Sequence, residues 1–138
     1  MHDHTWDMTS YVVCGELRNV VVSVVEDAGA PTHRIFEIHG DGAVDDIRAT
    51  ETVVRVVGEH EDKVSAGQTY RMGSDLIHRS DPGAGTVATL VAARRTSKRA
   101  ERALGPLGLR GYRSERQVCP PRRVAAAAAG VLEALGEF

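Results

Sequence analysis

The chain has its strongest local pattern between residues 10 and 25, where it reads SYVVCGELRNVVVSVV. Ser10–Cys14 is rich in valine and contains a tyrosine, and Asn19–Val25 is almost continuously apolar. β-Branched and aromatic residues favour extended strands, and a glycine between two such runs is typical of a turn. An apolar run that does not alternate with polar residues indicates a strand that is covered on both faces. We therefore predict two strands here, the second of them buried from both sides.

Five more short runs of the same type follow. They are His33–Ile38, Thr52–Val57, Thr69–Met72, Leu76–His78 and Val87–Ala93. Clusters of glycine, proline and aspartate separate them, as is typical of turns. Seven short strands separated by turns predict an all-β sandwich or barrel.

The pattern changes in the last third of the chain. Ser97–Leu104 is compatible with a short helix, and the segment Gly105–Cys119, rich in glycine and arginine, follows it. Arg122–Leu135 contains five consecutive alanines and an apolar stripe at helical spacing, which together predict a helix. We expect a β domain over residues 1–94 and a basic, partly helical extension over residues 95–138. The last helix is expected to dock on the β domain or on a second subunit.

Charge divides the chain in nearly the same way. Residues 1–93 hold 15 acidic and 7 basic side chains, whereas residues 94–138 hold 4 acidic and 10 basic ones. A basic tail can bind phosphate or nucleic acid, but only one aromatic residue that could stack on a base, Tyr112, is interleaved with these arginines. We therefore expect the tail to pack against its own acidic body or a twin subunit, and we do not expect a nucleic-acid partner.

Length and hydropathy limit the class of protein. The chain has 138 residues, 42% of them hydrophobic, which suffices for one domain with a modest core. It has no apolar run of the roughly eighteen residues that a membrane helix requires, and no leader-like segment at its start. We expect a cytoplasmic protein without a membrane partner.

Three histidines in strand-like surroundings predict a metal site. His2 and His4 are separated by one residue, so on an extended segment both side chains lie on the same face. His78 ends a predicted strand about seventy residues later and can supply a third ligand from a neighbouring strand. Neutral imidazole is a common metal ligand. The alternatives are a loose, exposed terminal segment for His2 and His4, and a hydrogen bond to a turn for His78.

The strands and histidines together resemble the cupin superfamily, whose members are small double-stranded β-helix (jelly-roll) barrels that hold a metal ion between two short motifs. The first motif is His-x-His followed by a strand and a glycine, here His2-Asp3-His4 through Ser10–Cys14 to Gly15. The second is a glycine, a strand and a histidine, here Gly67–His78. The resemblance covers residues 2 to about 94. It implies an all-β cupin jelly roll with a C-terminal helical extension, and the three histidines of these motifs as metal ligands.

Within that superfamily the chain is most similar to the thiol dioxygenases, whose iron is held by three histidines. Their first motif also reads His-Asp-His-Thr, as residues 2–5 do here, and the pair His78-Arg79 recurs as well. The glutamate that most cupins add as a fourth ligand is absent, because Met8 or Thr9 stands at that place. The resemblance implies a mononuclear non-heme iron(II) dioxygenase, an oxidoreductase that acts on a small polar substrate.

Other functions remain open. Zinc(II) or nickel(II) at the same histidines would suit lyase or isomerase chemistry. The substrate-binding arginine and the Ser-His-Tyr relay of the thiol dioxygenases have no counterpart here, since residues 87–93 read VATLVAA. A non-catalytic cupin that senses or stores a small ligand is therefore the alternative to an enzyme.

Tyr11 and Arg71 are the candidate catalytic side chains. Strand position alone places them, together with Trp6 and Tyr70, near the expected site. Tyr11 would donate a hydrogen bond to bound oxygen, and Arg71, if it points inward, would hold a substrate carboxylate. The other interpretations are packing for Tyr11 and a solvated charge for Arg71.

We also predict a homodimer. Cupins carry strands ahead of the first histidine motif that close one edge of the barrel, whereas here Met1 alone precedes His2. Exposed sheet edges are usually covered by pairing. Either the true chain is longer, or exchange of strands or of the C-terminal helix between two subunits covers this edge.

Overall fold

A computed structural model describes residues 1–136 and consists mainly of antiparallel β-sheet. Nine strands precede one helix within that range. The strands are β1 (Trp6–Cys14), β2 (Glu16–Glu26), β3 (His33–Gly40), β4 (Val44–Ser65), β5 (Thr69–Met72), β6 (Ile77–Pro82), β7 (Ala88–Arg95), β8 (Glu101–Gly105) and β9 (Gly111–Glu115), and the helix is α1 (Pro121–Gly136).

The strands form two antiparallel sheets. One has three strands in the order β5-β1-β7, and the other has the order β6-β2-β4-β3-β8 with β9 paired to one end of β4. Gly15 carries the chain from β1 in the first sheet to β2 in the second. Its φ is 77°, and a side chain at this position would overlap the carbonyl oxygen of Thr86. This passage between sheets therefore requires glycine.

The first four residues close the larger sheet. His2 exchanges backbone hydrogen bonds with His78 of β6, with N···O distances of 3.0 and 2.9 Å. On the other side of the segment, the Asp3 amide donates to the carbonyl oxygen of Arg102 in β8 at 2.8 Å. Because β6 and β8 are the two outer strands of the order above, this segment joins them and turns the sheet into a ring.

Both faces of β2 are covered only between Asn19 and Val22, whereas Ser23 and Val25 are exposed, so the predicted cover extends over the first half of the apolar run. Asn19 and Val20, neighbours that point to opposite faces, are 3% and 2% exposed. One hydrophobic cluster contains Val20, Val22, Ile35, Val54, Ile77 and Leu104, and a second contains Val12, Leu17 and Val64. Val21 faces away from the first cluster and is the cross-strand partner of His78. The His78 side chain therefore lies on the face opposite to the first cluster.

The predicted helix over Ser97–Leu104 is wrong. Glu101–Gly105 form β8, which pairs with β3 and places Leu104 opposite Ile35. Local composition permits a helix, but the edge of β3 offers a row of unpaired backbone groups, and burial of Leu104 against the first cluster favours the strand. β9 pairs with one end of β4, so both β8 and β9 belong to the larger sheet.

The predicted C-terminal helix is confirmed as α1. None of its residues is buried, and Val124, Leu132 and Leu135 are exposed. The helix approaches the β domain at Gly130, where a methyl group would lie 3.6 Å from the hydroxyl oxygen of Thr86. None of the helical structure in residues 1–136 combines the length and the hydrophobicity that a membrane-spanning segment requires.

Candidate metal centre

The three histidines predicted as ligands lie side by side and form what we call the histidine cluster (His2, His4 and His78). His2 and His78 are direct cross-strand partners. His4 lies two residues after His2, so its side chain is on the same face of the segment. The ring centroids are 4.7 Å apart for His2 and His4 and 5.1 Å apart for each other pair. One possible ligand nitrogen from each ring lies within 4.8 Å of the other two. Three imidazoles this close can share one metal ion.

His78 is fixed in the orientation and tautomer that a ligand needs. The residue is 4% exposed, and its Nδ1 lies 3.0 Å from the carbonyl oxygen of Leu76. Because a carbonyl oxygen is an acceptor, Nδ1 carries the proton and donates it, and Nε2 keeps its lone pair. Metal-binding histidines are usually oriented by such a second hydrogen bond.

His4 is held between an aromatic ring and a carboxylate. Its ring stacks on Trp6, with centroids 3.9 Å apart and planes inclined by 19°. Its Nδ1 is buried without a hydrogen-bond partner and lies 3.7 Å from Oε1 of Glu101. A small rotation would let Nδ1 donate to this carboxylate, an arrangement that raises the basicity of a ligand histidine.

Electrostatics favour the neutral form of two rings of the cluster, His2 and His4. Burial lowers the pKa of His2 and of His4 below the ordinary value of 6.5, because a charged ring loses hydration there. Repulsion from the neighbouring histidines lowers the pKa of both rings further, whereas Glu101 opposes the shift. Both rings therefore favour the neutral form at pH 7, which is the form that binds metal.

The pH dependence of metal binding follows from these shifts. Protons compete with the ion for the same nitrogens, so affinity falls once the pH drops through the pKa values of the ligands. Since the pKa values of His2 and His4 are lowered, we expect zinc(II) affinity to fall at a lower pH than it would if both rings had the ordinary pKa of 6.5. Zinc titrations at a series of pH values between about 5 and 7.5 measure this. A decline that begins above pH 7 would contradict the prediction.

Asp3, between the two histidines of the first motif, points to the opposite face and anchors the segment. Its carboxylate is 0% exposed and accepts hydrogen bonds from Nη1 and Nη2 of Arg99 at 3.1 and 2.8 Å. It also accepts from the backbone N and the Nε of Arg102, both at 2.7 Å. A carboxylate held by bidentate pairing has little freedom. Strand alternation then fixes where His2 and His4 point.

Asp75 completes this arrangement, which we call the Asp3 network (Asp3, Asp75, Arg99 and Arg102). Arg99 also pairs with Asp75, and the Asp75 amide donates to the carbonyl oxygen of His4 at 3.1 Å. The sequence did not single out either arginine. The only feature of the sequence that indicated such a contact was the difference in charge between the acidic body and the basic tail. Arg99 and Arg102 belong to that tail, and both pair with carboxylates of the body.

Tyr11 and Arg71 lie on the three-stranded sheet, apart from the cluster. Both are exposed, Tyr11 by 44%, and Arg71 is the cross-strand partner of the residue Thr9 on β1. Arg71 lines a surface groove together with Asp7 and Thr9. Asp7 accepts a hydrogen bond from the Ser74 amide at 2.7 Å and so stabilises the turn before β6. Among residues 1–136, the group of side chains placed to share an ion consists of the three histidines.

Comparison of the chain with protein-family models, with curated proteins and with solved structures finds no match.

Proposed function

We propose that this chain is a cupin-type metalloprotein in which His2, His4 and His78 hold one divalent metal ion. The observation that carries the proposal is that one nitrogen of each ring lies within 4.8 Å of the other two. The hydrogen bond from His78 to Leu76, which leaves Nε2 free, supports it. Three neutral imidazoles suit both zinc and non-heme iron.

The architecture supports the cupin part of the proposal. The fold is antiparallel throughout, with two sheets and a C-terminal helix. The two histidine motifs meet because the segment before β1 pairs with β6. This is the juxtaposition that the jelly roll of a two-motif cupin requires.

The activity we propose is that of a mononuclear iron(II) dioxygenase acting on a small polar substrate. Three protein ligands leave open positions, at which iron(II) would supply binding of substrate and dioxygen and their redox chemistry. The chain's own part is to hold and orient the ligands. Glu101 and Trp6 position His4, and the Leu76 carbonyl positions His78. Zinc(II) or nickel(II) at the same histidines would give lyase or isomerase chemistry instead.

A non-catalytic ligand-binding or sensory role is the second candidate. It is favoured by the exposure of Tyr11 and Arg71 on the three-stranded sheet, which deprives the cluster of these two polar groups. Oxygen uptake by iron(II)-loaded protein in the presence of small thiols and acids separates the two roles. Substrate-dependent uptake supports the enzyme, and binding without uptake supports the sensor.

Tryptophan fluorescence can test whether the histidine cluster binds a metal ion. The chain contains one tryptophan, Trp6, and its ring is stacked on His4. A paramagnetic ion such as cobalt(II), bound at the cluster, should quench tryptophan fluorescence because of its proximity. We expect cobalt(II) to quench metal-free protein with an end-point of one ion per chain, and zinc(II) added first to prevent the quenching. Mass spectrometry of protein purified without a tag then identifies the native ion.

Undiminished fluorescence at excess cobalt(II) would count against a metal site at the cluster. Quenching that zinc(II) does not prevent would mean that cobalt(II) binds elsewhere, for example at the exposed His60.

A further inference from the structure

A polar cleft of about 500 Å³ adjoins the histidine cluster. Its walls are the turn from β3 to β4 and the segment that connects β7 with β8. Among the lining residues are Thr5, His39, Arg95, Lys98, Glu101 and Arg116. Glu101 belongs to both places, because its Oε1 lies 3.7 Å from Nδ1 of His4. A cleft of this volume can hold a small molecule.

Two cations in the cleft have no carboxylate partner. Arg99 and Arg116 are already held by carboxylates, at 2.8 Å in each case. Arg95 and Lys98, in contrast, form no ion pair with any residue between 1 and 136. Both side chains are exposed. Two unpaired cations that border the same cleft raise the local concentration of anions, so they can attract an anion from solution.

A buried hydroxyl group points to a ligand independently. Thr5 lines the cleft and is 2% exposed, and its Oγ1 has no hydrogen-bond partner among residues 1–136. Its backbone carbonyl is occupied, since it accepts from the amides of Thr96 and Ser97 at 2.9 and 3.0 Å. Buried polar groups are almost always paired, so this hydroxyl is a donor that a ligand can satisfy.

The charged side chains of the cleft that have no ion-pair partner in the described part of the chain favour a ligand with one negative charge. Arg95 and Lys98 supply two positive charges, and Glu101 supplies one negative charge. A phosphate monoester carries nearly two negative charges at pH 7, whereas a carboxylate carries one.

We propose that this cleft binds a small carboxylic acid, with the carboxylate between Arg95 and Lys98 and a ligand oxygen accepting a hydrogen bond from Thr5. The inference names the substrate class of the metal site, and in that respect it rests on the proposed function. Binding of the acid itself does not need the metal. A divalent ion at His4 would offset the negative charge of Glu101, so the acid should bind more tightly to zinc-loaded than to metal-free protein.

The test titrates L-lactate into metal-free and zinc-loaded protein and follows the amide signals of Thr5 and Lys98 by NMR. Lactamide is the neutral analogue, and inorganic phosphate is the competing anion. We expect lactate to shift both signals, lactamide not to, and phosphate to bind more weakly than lactate. Lys98→Ala should weaken lactate binding about two- to fivefold, because it removes an exposed charge that pairs with the carboxylate. Lys98→Arg should restore most of the affinity.

Arg94→Ala is the matched control. Arg94 precedes Arg95 on β7 and lines the separate groove on the three-stranded sheet, so its loss should leave lactate binding unchanged. Equal weakening by Lys98→Ala and Arg94→Ala overturns the proposal, as does equal binding of lactamide or tighter binding of phosphate.

Zinc stoichiometry separates this inference from the metal site. Lys98→Ala should still bind one zinc ion. If wild-type protein binds zinc through the histidines but does not bind lactate, the inference about the cleft is wrong and the metal site stands. If lactate binds as described but zinc does not bind, the cleft site stands and the proposed function is wrong.

Discussion

Replacing His78 by alanine is expected to abolish stoichiometric metal binding. His78 is the most buried member of the histidine cluster, and its tautomer is set by the Leu76 carbonyl. Changes to groups that merely orient a ligand typically weaken metal affinity by about 10- to 100-fold, so loss of a ligand itself should exceed that range. Mass spectrometry of purified protein should find close to one ion per wild-type chain and none in the variant.

The matched control is His60→Ala. The His60 side chain is 75% exposed and lies 3.2 Å from the carboxylate of Asp62, outside the cluster. Its loss should leave the metal content unchanged. Because removal of the buried His78 ring also leaves a cavity, His2→Ala provides a second variant at a less buried ligand. Retention of a full equivalent of metal in both His78→Ala and His2→Ala would exclude the site.

Local pattern was sufficient to predict the histidine geometry and most strands. His2 and His4 share a face because a strand alternates with a period of two, and that rule needs no tertiary information. The helix α1 was predictable for the same reason, since alanine-rich periodicity acts within a few residues. The strand predicted at Thr52–Val57, in contrast, is the middle of β4, which runs from Val44 to Ser65. The ends of β4 are largely polar, and their pairing with β9 and β2 keeps them extended.

The sequence could not reveal contacts that depend on long-range closure. β8 was mistaken for a helix because the edge of β3 that stabilises it lies more than sixty residues earlier in the chain. Asp3 and Arg99 are separated by 96 positions, and nothing near either residue indicates the partner. The outward positions of Tyr11 and Arg71 also depend on the placement of the three-stranded sheet, which alternation alone does not fix.

Asp3→Asn is expected to lower the stability of the protein and the metal affinity together. The substitution keeps the shape of the side chain but removes the buried charge that Arg99 and Arg102 share. Removing one partner of a fully buried ion pair costs about 3 to 5 kcal/mol. Because the side chains of Arg99 and Arg102 are 27% and 35% exposed, solvent can rehydrate them, and we expect about 2 to 3 kcal/mol. For a domain of this size that corresponds to a decrease in Tm of roughly 7 to 10 °C.

Metal affinity distinguishes an anchor of the site from a general stabilising contact. If the Asp3 network fixes the segment that carries His2 and His4, then Asp3→Asn should weaken zinc binding about 10- to 100-fold at a temperature where the variant is fully folded. Asp46→Asn is the control, because Asp46 pairs with Arg48 at 2.8 Å on the exposed surface. It should change neither zinc affinity nor Tm appreciably. A large decrease in Tm with unchanged zinc affinity would assign the Asp3 network to folding alone, since the two histidines would then keep their geometry without it.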